Sequence, residues 1–207
     1  MTRRACTLAL AIAAAWPAPR AGAGEAARPE WPAPELHVFT LRQGRVTTPP
    51  RAPSGPLAIG SLAKPFVARA WARAHPGQPS PVLRCTPASH CWNTAGHGTV
   101  GLVRAVAVSC NAYFRALAAG TPPPTLAATL RDAGFVPPDP LGAEAAIGLP
   151  SEAGLVSAEP AAVLRAYAAL VEEPWAGAEA IRREVTAGLR DSAREGTAAA
   201  LAGTGFL

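Results

Sequence analysis

A proline at position 65 directly follows Lys64 and limits where the chain can begin a helix. Proline lacks the backbone N–H that a helix interior needs, but its fixed φ suits the first helical turn. A stretch with helical apolar spacing runs on to Ala74, where His75-Pro76-Gly77 ends it. The sequence therefore predicts a helix over Leu62 to Ala74 that begins within about one turn of Pro65, with Ser61 at its N-terminal end.

Ser61 and Lys64 are three residues apart, a spacing that puts both side chains on one face of this helix. Lys64 is the only lysine in the chain. A desolvated lysine can lose its proton, and the neutral amine can then act as a base toward a serine hydroxyl. The N–H groups at the helix start stabilise developing negative charge. The alternative interpretation is that Ser61 only caps the helix and Lys64 is a solvated residue of its first turn.

Two segments resemble motifs of the penicillin-binding protein transpeptidases. Gly60 to Phe66 reads Gly-Ser-Leu-Ala-Lys-Pro-Phe and is similar to the motif that carries the active-site serine in that family. His97 to Phe114 is similar to the second motif, in which a His-Gly pair leads into an Ala-rich helix and then Ser-Cys-Asn-x-Tyr-Phe. Three later segments are similar to the family in the same order, so the resemblance covers residues 36–207: these are Gly134-Phe135, residues 148–154 and residues 166–170.

The resemblance implies an α+β, β-lactamase/transpeptidase-like fold with an N-terminal hairpin and a helical subdomain. It implies that Ser61 is acylated by the D-Ala-D-Ala end of a peptidoglycan stem peptide or by a β-lactam, with Lys64 as general base. Ser109 would relay the proton to the leaving amine, and Asn111 would hold Lys64 and the substrate amide. The Ser-x-Asn triplet and the His-Gly pair favour a transpeptidase over a β-lactamase. No cofactor and no metal is expected, and the protein partners are unknown.

The sequence departs from the family at its third motif, Lys-Thr/Ser-Gly on a core strand. Lys64 is the only lysine, and Thr204-Gly205 lacks a lysine before it. Residues 195–198 resemble the segment that usually precedes this strand. We therefore expect the C-terminal core strands to be missing, which leaves two outcomes open: an active enzyme, and an enzyme that is inactive through truncation. The alternatives are a non-catalytic muropeptide-binding or scaffold protein of the cell envelope, and an unrelated exported helical domain with chance motifs.

Residues 1–23 are predicted to be an export signal. Arg3 and Arg4 precede an apolar run from Ala5 to Trp16, and Ala21-Gly22-Ala23 is a small-residue cleavage pattern. The apolar run is shorter than the roughly 20 residues that span a bilayer, so an uncleaved anchor that keeps the protein near a membrane is the alternative. Residues 24–35 are predicted to be a linker and residues 36–207 a transpeptidase-like domain, incomplete at its C-terminus. The expected location is the periplasm or cell envelope.

The formal charge of +5 does not indicate nucleic-acid binding. Three arginines lie in the predicted export signal, and their removal leaves a charge of about +2. The remaining arginines are dispersed, with no basic run or interleaved aromatic residues of the kind that follow a phosphate backbone. A nucleic-acid partner is therefore excluded.

Short elements are predicted along the rest of the chain, because 23 prolines and 19 glycines interrupt it. We expect an early hairpin followed by a mostly helical region, with Ser157 as N-cap of the helix that starts at Ala158. The predicted hairpin consists of a strand over residues 36–41, a turn at Gln43-Gly44 and a return strand over residues 45–48. The remaining predictions are a short strand over residues 82–84 and helices over residues 100–119, 125–133, 158–171 and 178–194.

The predicted export affects which chemistry is expected of the cysteines. Cys85 and Cys91 bracket a short loop that contains a proline, and an oxidising compartment favours a disulfide between them. Free thiols and zinc binding with His90 and His97 are the alternatives. Zinc is disfavoured because Cys-x5-Cys followed by histidine is not a recognised zinc spacing.

Overall fold

The structure, a computed structural model, describes residues 8–13, 36–50 and 52–199 of the chain. Within these residues it combines helices with three small sheets, in agreement with the predicted α+β class. The predicted export signal lies mostly, and the linker at 24–35 entirely, outside the described residues, so both stay predictions. Thr204-Gly205 also lies outside them.

The described segments form strands and helices in the following order. The strands are β1 (Leu8–Ala13), β2 (Leu36–Arg42), β3 (Arg45–Thr47), β4 (Leu57–Ala58), β5 (Leu83–Cys85), β6 (Gly98–Val100) and β7 (Ser157–Ala158). The helices are α1 (Lys64–Ala74), α2 (Leu102–Ala107), α3 (Asn111–Ala119), α4 (Pro123–Asp132), α5 (Ala143–Ala146), α6 (Pro160–Glu172) and α7 (Glu179–Glu195). Short 3₁₀ turns cover Gly60–Ala63 and Pro87–Ser89.

The predicted hairpin is present as β2 and β3. The two strands are antiparallel, and Arg42 pairs with Arg45 across a two-residue turn. Gln43 and Gly44 both have positive φ, at 49° and 77°, which is the conformation that matches the twist of a tight hairpin. Strand β1 pairs with the other edge of β2, so β2 is the central strand of this sheet.

The core lies between the helices. Helix α1 packs against α3, α4 and α7, and α2 packs against α7. The α2–α7 contact depends on a glycine, because a Cβ built on Gly188 would lie 2.6 Å from the carbonyl oxygen of Val103 and 2.6 Å from Val106 Cβ. Phe66, on α1, is 1% exposed and packs edge-to-face on Phe135 and Tyr167. These aromatic contacts anchor the first turn of α1.

Two sequence predictions are wrong in detail. The helix predicted over residues 100–119 is two helices, α2 and α3, and Val100 belongs to β6, which pairs with β5. Ser157 does not cap α6: Glu159 is the N-cap, and Ser157 lies in β7 opposite Ala58. Pro160 explains the shift, because proline is favoured at the first position of a helix and lets α6 start there without a side-chain cap.

None of the helices in the described segments has the length and apolar character that crossing a membrane requires.

Candidate active site

Hydrogen bonds to distant parts of the chain hold the Ser61 turn in place. Ser61 lies in the 3₁₀ turn, and α1 follows from Lys64 with Pro65 in its first turn, as predicted. The backbone N–H of Ile59 donates to Val156 O at 3.1 Å, before the turn. Within the turn, Tyr167 Oη donates to Leu62 O at 3.0 Å. The turn is thereby attached both to the β7 region and to α6.

A glycine packs directly against this turn. Gly148 has φ +79°, and a Cβ built on it would collide with the backbone of Gly60, the residue before Ser61. Any larger residue at position 148 would have to displace the turn and would also be strained by the positive φ. Gly148 therefore helps to set the position of Ser61.

Lys64 is the centre of a buried polar cluster. Its side chain is 2% exposed. Nζ donates to Asn111 Oδ1 at 2.5 Å, to Ser109 Oγ at 2.8 Å and to Ser109 O at 2.9 Å. Three acceptors match the three N–H bonds of an ammonium group. The structure thus brings together three of the four residues predicted for the site, Lys64, Ser109 and Asn111, from two elements that are 45 or more residues apart in sequence.

Burial lowers the pKa of Lys64 from 10.5 to about 8. Desolvation is the largest cause, because it disfavours the charged amine. Ionisation of the Cys91 and Cys110 thiols would oppose the shift, and the Arg115 guanidinium adds to it. A pKa of about 8 leaves roughly a tenth of the amine neutral at pH 7, so Lys64 can accept a proton near neutral pH.

Ser109, which supplies two of the three acceptors of the Lys64 amine, lies in a strained turn between α2 and α3. Ser109 has φ +51°, in the left-handed region that residues other than glycine seldom adopt. The N–H of Cys110 donates to Ala105 O at 2.9 Å and closes the end of α2. Trp92 Nε1 donates to Ser109 O at 3.1 Å and to Val108 O at 3.0 Å, although 57% of the Trp92 residue is exposed. Backbone strain of this kind is concentrated at functional sites.

Trp92 is not among the residues predicted for the site from the sequence. Its position directly after Cys91 was the only signal, since the indole reaches Ser109 across 17 residues of sequence.

Ser61, the fourth predicted residue, is one turn before Lys64 and exposed. Among the described residues its hydroxyl has no hydrogen-bond partner, and the Lys64 amine points to Ser109 and Asn111 instead. Because the Ser61 hydroxyl is exposed, a substrate can reach it from solvent. The role of Lys64 as base toward Ser61 stays a prediction.

A second polar cluster adjoins the first. Cys85, Cys91, His97 and Cys110 place one sulfur or nitrogen atom each within 4.8 Å of all the others. The predicted disulfide between Cys85 and Cys91 is not formed, and both residues are free thiols, as is Cys110. The zinc alternative predicted from the sequence included His90 and His97 with the two loop cysteines. It did not include Cys110, because only the fold brings Cys110 next to the loop cysteines. His90 does not belong to the cluster.

Burial, backbone N–H groups and nearby charges shift the pKa values of the cluster's side chains. Burial raises the pKa of the Cys110 thiol to about 12. Burial also opposes ionisation of Cys91, but the backbone N–H groups of Ala112, Asn93 and Asn111 outweigh it and lower that pKa. The pKa of His97 is lowered, first by burial and then by the charges of Arg104 and Lys64, so its imidazole is neutral at pH 7.

Comparison with solved structures finds penicillin-binding proteins. A penicillin-binding protein (PBP2) from Helicobacter pylori has a TM-score of 0.57 and 16% identity over 69% of this chain and 37% of that one. A chain from a peptidoglycan synthase complex that coordinates polymerization and crosslinking has a TM-score of 0.55 and 19% identity over 72% of this chain and 34% of that one. Neither a protein-family model nor a curated protein sequence matches the chain.

These similarities establish the fold. The described chain folds like part of a penicillin-binding protein, which confirms the resemblance read from the sequence at the level of architecture. The chain spans about a third of the length of the two solved structures.

Proposed function

We propose that the protein is a penicillin-binding, peptidoglycan D,D-transpeptidase-like serine acyl-transferase in which Ser61 is the nucleophile. The observation that carries the proposal is the buried Lys64 amine, hydrogen-bonded to Ser109 and Asn111 and with its pKa lowered to about 8. The penicillin-binding fold of the described residues supports the substrate class, a stem peptide that ends in D-Ala-D-Ala or a β-lactam.

The proposed reaction moves one proton through these residues. Ser61 Oγ attacks the carbonyl carbon of the terminal amide, or of the β-lactam ring, while neutral Lys64 accepts the hydroxyl proton. The C–N bond then breaks, and an ester to Ser61 remains. Ser109 Oγ, 2.8 Å from Lys64 Nζ, passes the proton to the leaving nitrogen. Asn111 keeps the amine in place through its Oδ1 and can orient the substrate amide.

The labelling is followed over long incubations, because the loss of one oxyanion donor slows acylation by about a hundred- to a thousandfold. If the substrate binds but no ester forms, the protein is the non-catalytic muropeptide-binding scaffold instead.

Labelling with a fluorescent penicillin tests the proposal. The full chain is incubated with the label, denatured and resolved by electrophoresis, so that only covalent adducts are seen. We expect a labelled band that excess unlabelled penicillin suppresses and that Ser61→Ala abolishes. Ser54→Ala is the matched control, because Ser54 is an exposed serine seven residues earlier and should label like the parent chain. Equal labelling of Ser61→Ala and the parent chain would refute the proposal.

A further inference from the structure

Three thiols and one imidazole meet beside the Lys64 cluster, in an arrangement that acylation of Ser61 does not use. We propose that Cys85, Cys91, His97 and Cys110 bind one zinc ion, with the three thiolates and the Nδ1 atom of His97 as ligands. No metal was expected from the sequence, and zinc binding at these four residues does not depend on the proposed acyl-transfer activity.

The distances fit a tetrahedral zinc ion. Zn–S bonds of about 2.3 Å and Zn–N bonds of about 2.0 Å at tetrahedral angles place sulfur and nitrogen about 3.5 Å apart and two sulfurs about 3.8 Å apart. Nδ1 of His97 lies 3.6 Å from Cys85 Sγ and 3.5 Å from Cys91 Sγ. The two sulfurs of Cys91 and Cys110 are 4.0 Å apart. One ion at the centre of the four atoms would need only small side-chain adjustments.

The donor set selects zinc. Thiolate and imidazole ligands are preferred by zinc over magnesium or calcium, which take oxygen ligands. Four protein ligands fill the tetrahedral coordination, which is the pattern of a structural site rather than one that holds a reactive water. A disulfide needs two sulfurs about 2.05 Å apart, and any pair that closed would leave the third thiol and the imidazole without a partner. Binding releases the protons of the thiols as the thiolates form.

The surrounding backbone is already organised to hold the four ligands. Cys85 of β5 pairs with Gly98 of β6, and His97 directly precedes Gly98. The pairing of the two strands therefore brings His97 close to Cys85. A Cβ built on Gly96, which has φ +78°, would lie 2.5 Å from Cys85 O, so only glycine lets the loop close on this strand. The side chain of Asn93 accepts from Ala95 N–H and donates to Gly96 O, which shapes the same loop.

The orientation of His97 agrees with Nδ1 as the ligand atom. Its Nε2 atom is buried and has no hydrogen-bond partner in the part of the chain that the structure describes. The ring's polar contacts are therefore on the Nδ1 side, with the two sulfurs of Cys85 and Cys91. A metal on Nδ1 gives the ring a strong interaction on that side and fixes the proton on Nε2.

The site would tie a surface loop to the Lys64 cluster. Cys110 lies between Ser109 and Asn111, the two residues that accept from Lys64. Trp92 follows Cys91 and donates to Ser109 O. Zinc would thus cross-link the loop over residues 85–97 to the strained turn at Ser109, and its removal would loosen the acceptors of the lysine amine.

Metal content and cobalt substitution test the proposal on the full chain. After purification without chelators and dialysis against zinc, we expect about one zinc per chain by mass spectrometry of the metal, and a lower melting temperature after chelation that zinc but not magnesium restores. Co²⁺ added to the metal-free chain should give the absorption bands of tetrahedral, thiolate-bound cobalt. Cys91→Ser and His97→Gln should weaken Co²⁺ binding about a hundredfold or more, because each removes a ligand and losing only an outer-shell partner already costs about 10- to 100-fold.

His90→Asn is the matched control. His90 is adjacent to Cys91 but outside the cluster, and asparagine tolerates its positive φ of 48°. The control should bind zinc and Co²⁺ like the parent chain. Less than a tenth of an equivalent of zinc on the folded parent chain, octahedral cobalt spectra, an equal loss in the control, or a Cys85–Cys91 disulfide in the purified protein would each overturn the proposal. None of these readouts requires acylation, so a failure here leaves the Ser61 labelling experiment independent.

Discussion

Replacing Asn111 with aspartate tests whether the lowered pKa of Lys64 matters for acylation. The change keeps the size of the side chain but puts a carboxylate where Asn111 Oδ1 now lies, 2.5 Å from Lys64 Nζ. At an effective dielectric constant of about 20, two unit charges at that distance attract by about 7 kcal/mol, equivalent to about five pKa units. That attraction is more than enough to return the Lys64 pKa from about 8 to its ordinary 10.5.

The expected loss of rate follows from the neutral fraction of the amine. With a pKa of about 8, roughly one amine in ten is neutral at pH 7, whereas a pKa of 10.5 leaves about one in three thousand. Asn111→Asp should therefore lower the acylation rate at pH 7 by about 300-fold, and the loss should shrink as the pH rises.

The assay is the rate of penicillin labelling at several pH values, with Asn111→Ala as the neutral control. Asn111→Ala also removes the hydrogen bond but adds no charge, so its pH midpoint should stay near 8. An Asn111→Asp chain that labels at the parent rate at pH 7, or with an unchanged midpoint, would refute Lys64 as the base.

Three further substitutions have expected outcomes. Lys64→Met should abolish labelling at every pH, because the side chain keeps its length but loses the amine, and gel fluorescence measures this. Gly148→Ala should reduce the free energy of unfolding by more than Gly177→Ala in urea titrations. Both glycines have positive φ, +79° and +72°, but only at position 148 would the Cβ meet another backbone, whereas nothing lies within 4 Å at 177. Phe66→Ala should cost about 3–5 kcal/mol in the same titration, since it empties a buried aromatic contact.

Different results would contradict each of these expectations. Labelling of a folded Lys64→Met chain would mean that another group takes the serine proton. Equal losses for the two glycine variants would show that Gly148 does not need its close approach to the Ser61 turn. A loss below about 1 kcal/mol for Phe66→Ala would mean that the aromatic contact is not part of the core.

Local rules explain why several elements could be predicted from the sequence. Gln43-Gly44 between two β-prone runs specifies a tight hairpin, and Pro65 restricts the start of α1 to the adjacent residues. Ser61 and Lys64 are three residues apart, so the sequence already places Lys64 about one turn after Ser61. These features depend on residues that are adjacent in sequence, so they could be predicted without knowing the long-range contacts of the fold.

Long-range contacts explain what the sequence did not reveal. The apolar pattern around Val100 fits a helix or a strand, and the pairing of Val100 with Leu83 decides for the strand. Cys110 is 19 residues from Cys91, and nothing in the spacing indicates that their sulfurs meet. The disulfide prediction was wrong because it considered only the two cysteines of one loop. Trp92 likewise acquires its hydrogen bond to Ser109 only in the folded chain.

Peptide mapping of the β-lactam adduct across a range of pH is the decisive measurement for a serine activated by a buried lysine. The chain is reacted with benzylpenicillin, digested, and the modified peptide is identified by mass spectrometry at each pH. We expect the adduct on the peptide that contains Ser61, formed at a rate that rises about tenfold per pH unit below a midpoint near 8 and levels off above it. An adduct on another residue, or a rate that does not change between about pH 6 and pH 9, would contradict the proposed roles of Ser61 and Lys64.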